Sequence, residues 1–538
     1  FVPENPVDRW CQSPFRGPVS PWVCEKRGLR ERKGAYRSVS KCVGDECAAA
    51  RRVAIMPGMK FPAHDPAFLE SLRRVLGHDA VLTAHSDLLV YECDGFTIEK
   101  NSPDVVVFPE TTAQVSQVVL LCNQYGLPFL PRGAGTSLAG GCLPVGGGVM
   151  IVLTRMKQIL EINVRDRFAV VQPGVVNVWL TQALRHTGFH YAPDPSSQGA
   201  CTIGGNVATN SGGPHTLKYG VTVNHVLGVE GVLPDGSIVT FGGPAAENAG
   251  LDLVGAIVGS EGTLVIVTKV WVRITRNPQG YRTMLGVFES VDDATNAISA
   301  IIGAGIIPAA LEMMDQGILV AVEQAYHFGF PLDAEAVLLI EVDGLEAGLD
   351  EQQRQIIDLC RQHGAREVRL AADAAERQKL WKSRKQAFGA IGRLSPSYCT
   401  QDGVVPRTKV PHILRRISEI AMAYDLRVVN VFHAGDGNLH PILLFDERVP
   451  EQVQRVLKAS HEILDECLAC GGSVTGEHGI GVEKIGFMNK MFTQDDLTVM
   501  ANLRNAFNPS GRLSPDKMLP TAGACGVEQH HPGRRAAL

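Results

Sequence analysis

Tyr191–Gly213 reads YAPDPSSQGACTIGGNVATNSGG, a run of glycine, proline and small polar residues with almost no charge. Glycine lets a backbone approach a ligand closely. Such a run can wrap a large ligand with main-chain hydrogen bonds; the alternative reading is a pair of surface loops. Two further segments share its character. Pro131–Gly141, PRGAGTSLAGG, sits between strand-like Leu127–Pro131 and Val149–Leu153. A glycine-rich turn after a strand presents N–H groups and favours phosphate. It is not the GxGxxG that opens the helix of a Rossmann unit. Gly259–Arg273, GSEGTLVIVTKVWVR, is a turn followed by a β-rich run.

Upstream, the pattern is β-α-β. Pro103–Pro109, PDVVVFP, reads as a short buried strand. Thr111 then caps a helix that puts Val115, Val118, Val119 and Cys122 on one face. Before it, Phe68, Leu69, Leu72, Val75 and Leu76 recur at helical spacing. Residues 1–55 show no sustained period, and the first methionine is Met56. They read as an extension upstream of the natural start or as a disordered tail, and 521–538 also reads as a tail.

Val431–His440, VFHAGDGNLH, is a different signal. Asp436-Gly437 is a two-residue hairpin turn by type. About that centre, His433 faces His440, and directly opposed residues share a face with Cβ atoms roughly 4.5–5.5 Å apart. Two imidazoles then converge on one cation. Thr475–Gly481, TGEHGIG, offers Glu477 as a third ligand and His478 as a base. Two histidines and a carboxylate leave coordination positions open for substrate. The bland alternative is a hairpin with two hydrogen-bonded histidines.

The composition excludes several classes. The 538 residues suggest two to four domains. With 45% hydrophobic and 20% charged residues and a net charge of −5, nothing global points to nucleic acid or an anionic membrane surface. No apolar run reaches the ~18–20 residues of a membrane span. The 13 cysteines form no framework and read as reduced residues of a cytoplasmic protein, placed if anywhere at the inner face of a membrane. Cys467 and Cys470 form a lone CxxC without a thioredoxin or zinc context. No CxxCxxC run is present, so an iron–sulfur centre belongs to a partner.

Together the three glycine-rich segments, HAGDGNLH and TGEHGIG resemble the FAD-linked oxidase family of vanillyl-alcohol oxidase type. They resemble most the branch holding glycolate oxidase flavin subunits, D-lactate dehydrogenase and D-2-hydroxyglutarate dehydrogenase. Glycolate oxidase flavin subunits are the nearest likeness, over roughly Pro66–Pro520. The resemblance implies an α+β chain: a PCMH-type FAD-binding domain over 56–277, an α+β, ferredoxin-like cap with the metal hairpin over 278–470, and a segment at 471–520 returning to the flavin. Within the cap, Met284–Val287 and Val337–Val342 read as strands, Asp292–Ile302, Gln352–His363 and Glu451–Cys470 as helices.

The implied flavin contacts fall on Pro131, Arg132, Gly133, Ala134, Gly135, Thr136 and Ser137 in the first segment. In the second they fall on Pro193, Asp194, Gly199, Thr202, Gly204, Gly205, Asn206, Thr209, Asn210 and Gly212, and in the third on Glu261, Gly262 and Ile266. Relatives with covalent FAD often carry a histidine in the first glycine loop. Thr136-Ser137 stands there, which implies non-covalent FAD. The implied reaction oxidises a 2-hydroxy acid to the 2-oxo acid, the α-hydrogen passing to flavin N5. A divalent cation (zinc, manganese or iron) on His433, His440 and Glu477 acidifies the substrate hydroxyl, His478 takes the proton, Asn438 hydrogen-bonds the substrate, and Arg384 binds its carboxylate. The acceptor is oxygen, a quinone, or an iron–sulfur partner of a glycolate oxidase complex with a second flavin-fold subunit. The competing readings are a D-2-hydroxyglutarate dehydrogenase, a non-catalytic flavin-fold subunit, and a metal hydrolase using the same ligands.

Overall fold

Val105, Val106 and Val107 are 0% exposed, as the apolar run between two prolines requires. In the computed structural model, which describes residues 62–245 and 250–520, they form β1 (Val105–Val107). The readings for 1–55 and 521–538 lie outside the described residues. β1 and β2 (Phe129–Arg132) both run parallel to β3 (Val149–Val152), and an antiparallel Val81–Leu82 closes the sheet. Parallel strands covered on both faces become continuous apolar runs. α1 (Pro66–Leu76) and α2 (Thr112–Gln124) pack on this sheet. Thr111 caps α2 by accepting from Gln114 N at 3.2 Å, and the four apolar residues of the predicted face are all buried. Phe68 fills the seam between the helices at 0% exposure; Phe68→Ala there should cost ~3–5 kcal/mol.

The second sheet is antiparallel, in the order Ile159–Asn163, Phe168–Val171, Ile266–Arg273, Val226–Val232, Ile238–Gly242. The short α3 (Ile203–Thr209), part of the second glycine-rich segment, packs Ile203 and Val207 into the core of this sheet.

From Gly280 a third sheet begins. β4 (Gly280–Phe288), α4 (Val291–Gly303), β5 (Ala310–Asp315), β6 (Ala336–Gly344), α5 (Leu349–Gln362) and β7 (Ala365–Leu370) follow in sequence. Their spatial order is β7-β4-β6-β5, the split βαβ arrangement of a ferredoxin-like unit. β8 (Arg427–His433) adds to its β5 edge, pairing Glu312 with His433. β9 (Asn438–Leu439) and β10 (Pro441–Phe445) return along β8, and the long α6 (Pro450–Ala469) leads to the 475–481 turn. No helix among the described residues is long and apolar enough to cross a membrane.

The hairpin differs from the sequence expectation. His433 pairs with Asn438 and Asn430 with Pro441, so the loop is the four residues Ala434–Gly437 and His440 lies diagonal to His433. A two-residue type I′ turn needs positive φ at both central residues. Only Gly437 has it, at 79°; Asp436 does not. Asp436 Oδ1 instead accepts from Asn438 N at 3.2 Å. The slip is two residues, one side-chain period, so both histidines stay on one face.

Candidate functional site

Glu477 Oε1 lies 3.1 Å from His433 Nε2 and 3.3 Å from His440 Nε2. Ligands on a tetrahedral zinc with bonds of ~2.0–2.1 Å stand about 3.3 Å apart, so these three atoms have the spacing of one cation's donors. All three lie within 4.8 Å of one another. The other ring nitrogens are tied back: His433 Nδ1 is 2.8 Å from Glu312 Oε1, and His440 Nδ1 is 3.4 Å from Gln401 O. That leaves both Nε2 atoms pointing at the shared carboxylate, the ring orientation a metal ligand needs. Burial alone would raise Glu477, but hydrogen bonds from both histidines hold it well below the usual carboxylate range.

The turn that carries Glu477 and His478 is held by a residue the sequence reading passed over. Asp402 Oδ2 accepts from Thr475 Oγ1 at 2.6 Å and from the N–H groups of Gly476, Glu477 and His478 at 2.8, 3.0 and 2.8 Å. Asp402 is 0% exposed. Burial opposes its charge, but His478, Lys484 and His440 bring it down to about 2. The His478 ring stacks on His440, centroids 5.0 Å apart and planes 6° off parallel. Burial pushes His478 down to about 4 despite Asp402. Its buried Nδ1 has no protein partner.

Glu312 was also missed. A carboxylate inside the apolar strand ALEMMD was the available signal, because a buried charge must be paired. Its partners are His433 and Arg384, whose Nε donates to Glu312 Oε2 at 2.7 Å. Arg384 sits on the helix Ala374–Lys385, is 0% exposed, and does not line the cavity described below. Its Nη1 has no protein partner. The free fork anticipated from the sequence is therefore half committed to Glu312. Asn438 is buried, with Oδ1 unpartnered, and sits beneath Gly476, where an added Cβ would strike its amide at 2.6 Å.

Beside this cluster opens a cavity lined by all of Pro131 to Ser137, by Thr202, Gly204, Gly205, Asn206, Thr209, Glu261 and Gly262, and by His440, Glu477 and His478. The main-chain N–H groups of Ala134, Gly135, Thr136 and Ser137 donate to no protein acceptor among the described residues. Thr202 Oγ1 is buried and unpartnered. A row of unused donors on a glycine-rich turn suits the phosphates of a dinucleotide, so the residues present fit FAD.

Six anticipated contacts do not line the cavity: Pro193, Asp194, Gly199, Asn210, Gly212 and Ile266. Five of them have a structural duty instead, and Gly199 lies on an exposed turn. Pro193 O accepts from Asn177, Asp194 binds His215, and Asn210 Oδ1 accepts from Val223 N. Gly212 N donates to Glu477 Oε2 at 3.0 Å, linking this segment to the metal cluster. Ile266 is 0% exposed in the core of the first sheet, and Gly199 lies on the turn before Thr202. Glu261 lines the cavity, but its carboxylate accepts from Ile480 N and Gly481 N at 2.6 and 2.7 Å, clamping the TGEHGIG turn. Lining residues the sequence did not single out include Cys142, Ser197, Lys385, Phe388 and Tyr398.

Comparison with known proteins agrees with this geometry. Residues 277–518 match the family described as FAD linked oxidases, C-terminal domain, and 103–242 match an FAD binding domain. The chain is similar to glycolate oxidase subunit GlcD of Escherichia coli (strain K12), 45% identical over 457 residues that span 85% of this chain and 92% of that one. It is 31% identical over 423 residues to a mitochondrial D-lactate dehydrogenase (cytochrome) of Arabidopsis thaliana, covering 78% and 74% of the two chains. The solved structure of 4-ethylphenol oxidase from Gulosibacter chungangensis, in complex with isoeugenol, superposes with a TM-score of 0.72 at 17% identity, over 86% of this chain and 98% of that one. At that identity the likeness is one of fold.

Proposed function

The chain belongs to the FAD-linked oxidase family, has its vanillyl-alcohol-oxidase-type FAD fold and is an FAD-linked oxidoreductase; from that premise we propose that it oxidises a small 2-hydroxy acid, glycolate or D-lactate, to the 2-oxo acid. The observation that carries this reading is the convergence of His433 Nε2, His440 Nε2 and Glu477 Oε1 at the wall of the flavin cavity. FAD, when bound, supplies the two-electron acceptor for the α-hydrogen. A divalent cation, when bound to those three atoms, supplies the positive charge that acidifies the substrate hydroxyl.

The chain's own residues do the rest. Glu312 and Gln401 O hold the two imidazoles with Nε2 turned to the cation site. His478, on the cavity wall and stacked against His440, takes the hydroxyl proton as general base. Arg384, anticipated at the substrate carboxylate, is buried off the cavity lining and acts on the site through Glu312 and His433, while Asn438, buried beneath Gly476, braces the turn that carries Glu477. Asp402 and Glu261 fix the turn from both sides, so that base and ligand hold station. We assign the flavin to 56–277, the substrate cap with the metal-binding hairpin to 278–470, and the returning segment, with Glu477 and His478 on its turn, to 471–520. FAD is held without a covalent link. The electrons leave to a non-nicotinamide acceptor, which we assign to an iron–sulfur partner; the likeness to a protein named as an oxidase subunit supports assembly with other subunits.

The experiment is anaerobic flavin bleaching with a panel of 2-hydroxy acids, glycolate, D- and L-lactate and D-2-hydroxyglutarate, alongside metal analysis. Glycolate or D-lactate should bleach the flavin fastest. Bleaching by L-lactate alone, or a fully active protein without metal, sinks the reading.

A further inference from the structure

A second cavity adjoins the flavin cavity, and Lys385 is the one residue common to both linings. Its other walls carry His215, Arg377, Lys382 and the indole of Trp381. Two carboxylates hold these groups in place. Glu341, 0% exposed, accepts from Arg377 Nε and Nη2 at 2.7 Å each and from Trp381 Nε1 at 2.8 Å. Asp194 lies 2.9 Å from His215 Nδ1 and 3.6 Å from Lys385 Nζ. His215 also stands 3.8 Å from Glu341. Burial would lower it, but Asp194 and Glu341 raise it to about 10, so it stays cationic. Four cations thus meet Glu341 and Asp194, and the further carboxylate near Arg377, Asp343, is paired with Lys218, leaving a surplus of positive charge. Lys382 is exposed and makes no ion pair among the described residues.

We propose that the second cavity is a vestibule that captures the carboxylate of the small 2-hydroxy acid from solvent and passes it to the flavin cavity by way of Lys385. The proposal rests on the 2-hydroxy-acid reading for the identity of its anion. A cleft lined by one sign of charge raises local counter-ion concentration and on-rates by ~10–10³, and the effect fades as the Debye length shrinks from about 10 Å at 0.1 M salt to about 3 Å at 1 M.

Two measurements on the FAD-loaded protein test it. The first is the second-order constant for anaerobic flavin reduction by glycolate, as ionic strength is raised, in wild type and in Lys382→Glu. The wild-type constant should fall with salt. Lys382→Glu should lower it about 10-fold at low salt, the two converging near 1 M. Equal constants with equal salt slopes overturn the vestibule. The second is a bromide soak of holoenzyme crystals. An anomalous peak between Lys382 and Lys385 is expected, and an empty cavity overturns the vestibule whether or not glycolate reduces the flavin. If no 2-hydroxy acid reduces the flavin, the functional reading fails, and the bromide peak alone then decides whether the cavity takes anions.

Discussion

Glu312 and His433 face each other across two neighbouring antiparallel strands, with Glu312 Oε1 2.8 Å from His433 Nδ1. The same carboxylate takes Arg384 Nε at 2.7 Å. One buried acid therefore orients a candidate metal ligand and neutralises a fully buried guanidinium. Glu312→Gln should leave Arg384 as an uncompensated buried charge, at a cost of ~3–5 kcal/mol. It should also weaken metal binding by ~10–100-fold, as loss of a carboxylate behind a ligating histidine does. Urea unfolding and a metal titration measure the two effects. Wild-type values for both would remove Glu312 from this role.

Glu477 is tied to the flavin segment as well as to the histidines, through Gly212 N at 3.0 Å. His433→Ala should empty the metal site and keep FAD, because among the described residues the hydrogen bonds of the His433 ring run to Glu312 and Glu477 and not to the glycine-rich segments. Glu477→Ala should lose metal and also loosen FAD. Metal analysis beside the flavin absorbance of each purified variant separates them. FAD loss from His433→Ala, or full FAD retention in Glu477→Ala, contradicts the coupling.

Removing the base should affect rate alone. His478→Ala should slow flavin reduction by ~10²–10⁴-fold while metal and FAD content stay at wild-type levels. If metal leaves with the imidazole, His478 is a ligand, and its stacking on His440 reflects a shared ion.

His215 gives the stability a slope in alkali. Its folded value, about 10, is raised above the ordinary 6.5 by Asp194 and Glu341 against burial. A raised folded pKa means the folded state holds the proton longer. The stabilisation is complete below pH 6.5 and drains as pH climbs towards about 10. Thermal unfolding across that window should show the loss in wild type and a flatter profile in His215→Asn. Parallel profiles would mean the ring is not protonated in the fold.

Non-covalent attachment predicts that acid precipitation releases the flavin to the supernatant. The basis is Thr136-Ser137 in the first glycine loop, both lining the cavity. Yellow colour remaining in the pellet contradicts it.

Local pattern was enough for much of this protein. The glycine-rich segments, the capped α2 and the 3.6-residue periods of α4, α5 and α6 could be read directly, because caps, turns and helical faces are settled by residues within a few positions of one another. The hairpin shows where that stops. Its parity was legible, since a strand alternates every residue, but its register was not. That depended on Asp436 keeping negative φ and on β8 pairing Asn430 with Pro441. What tertiary structure alone decided is which distant charges meet. Glu312 reaches His433 across 121 positions and Asp402 reaches His478 across 76. Glu261 grips the same turn from 219 positions away, and Arg384 turns inward to Glu312 while its neighbour Lys385 opens onto both cavities. A buried charge must find a partner, and spacing along the chain announces that need without naming the partner; only strand pairing, as of Glu312 with His433, and the packing of distant segments, as of Asp402 and Glu261 on the 475–481 turn, bring the groups together.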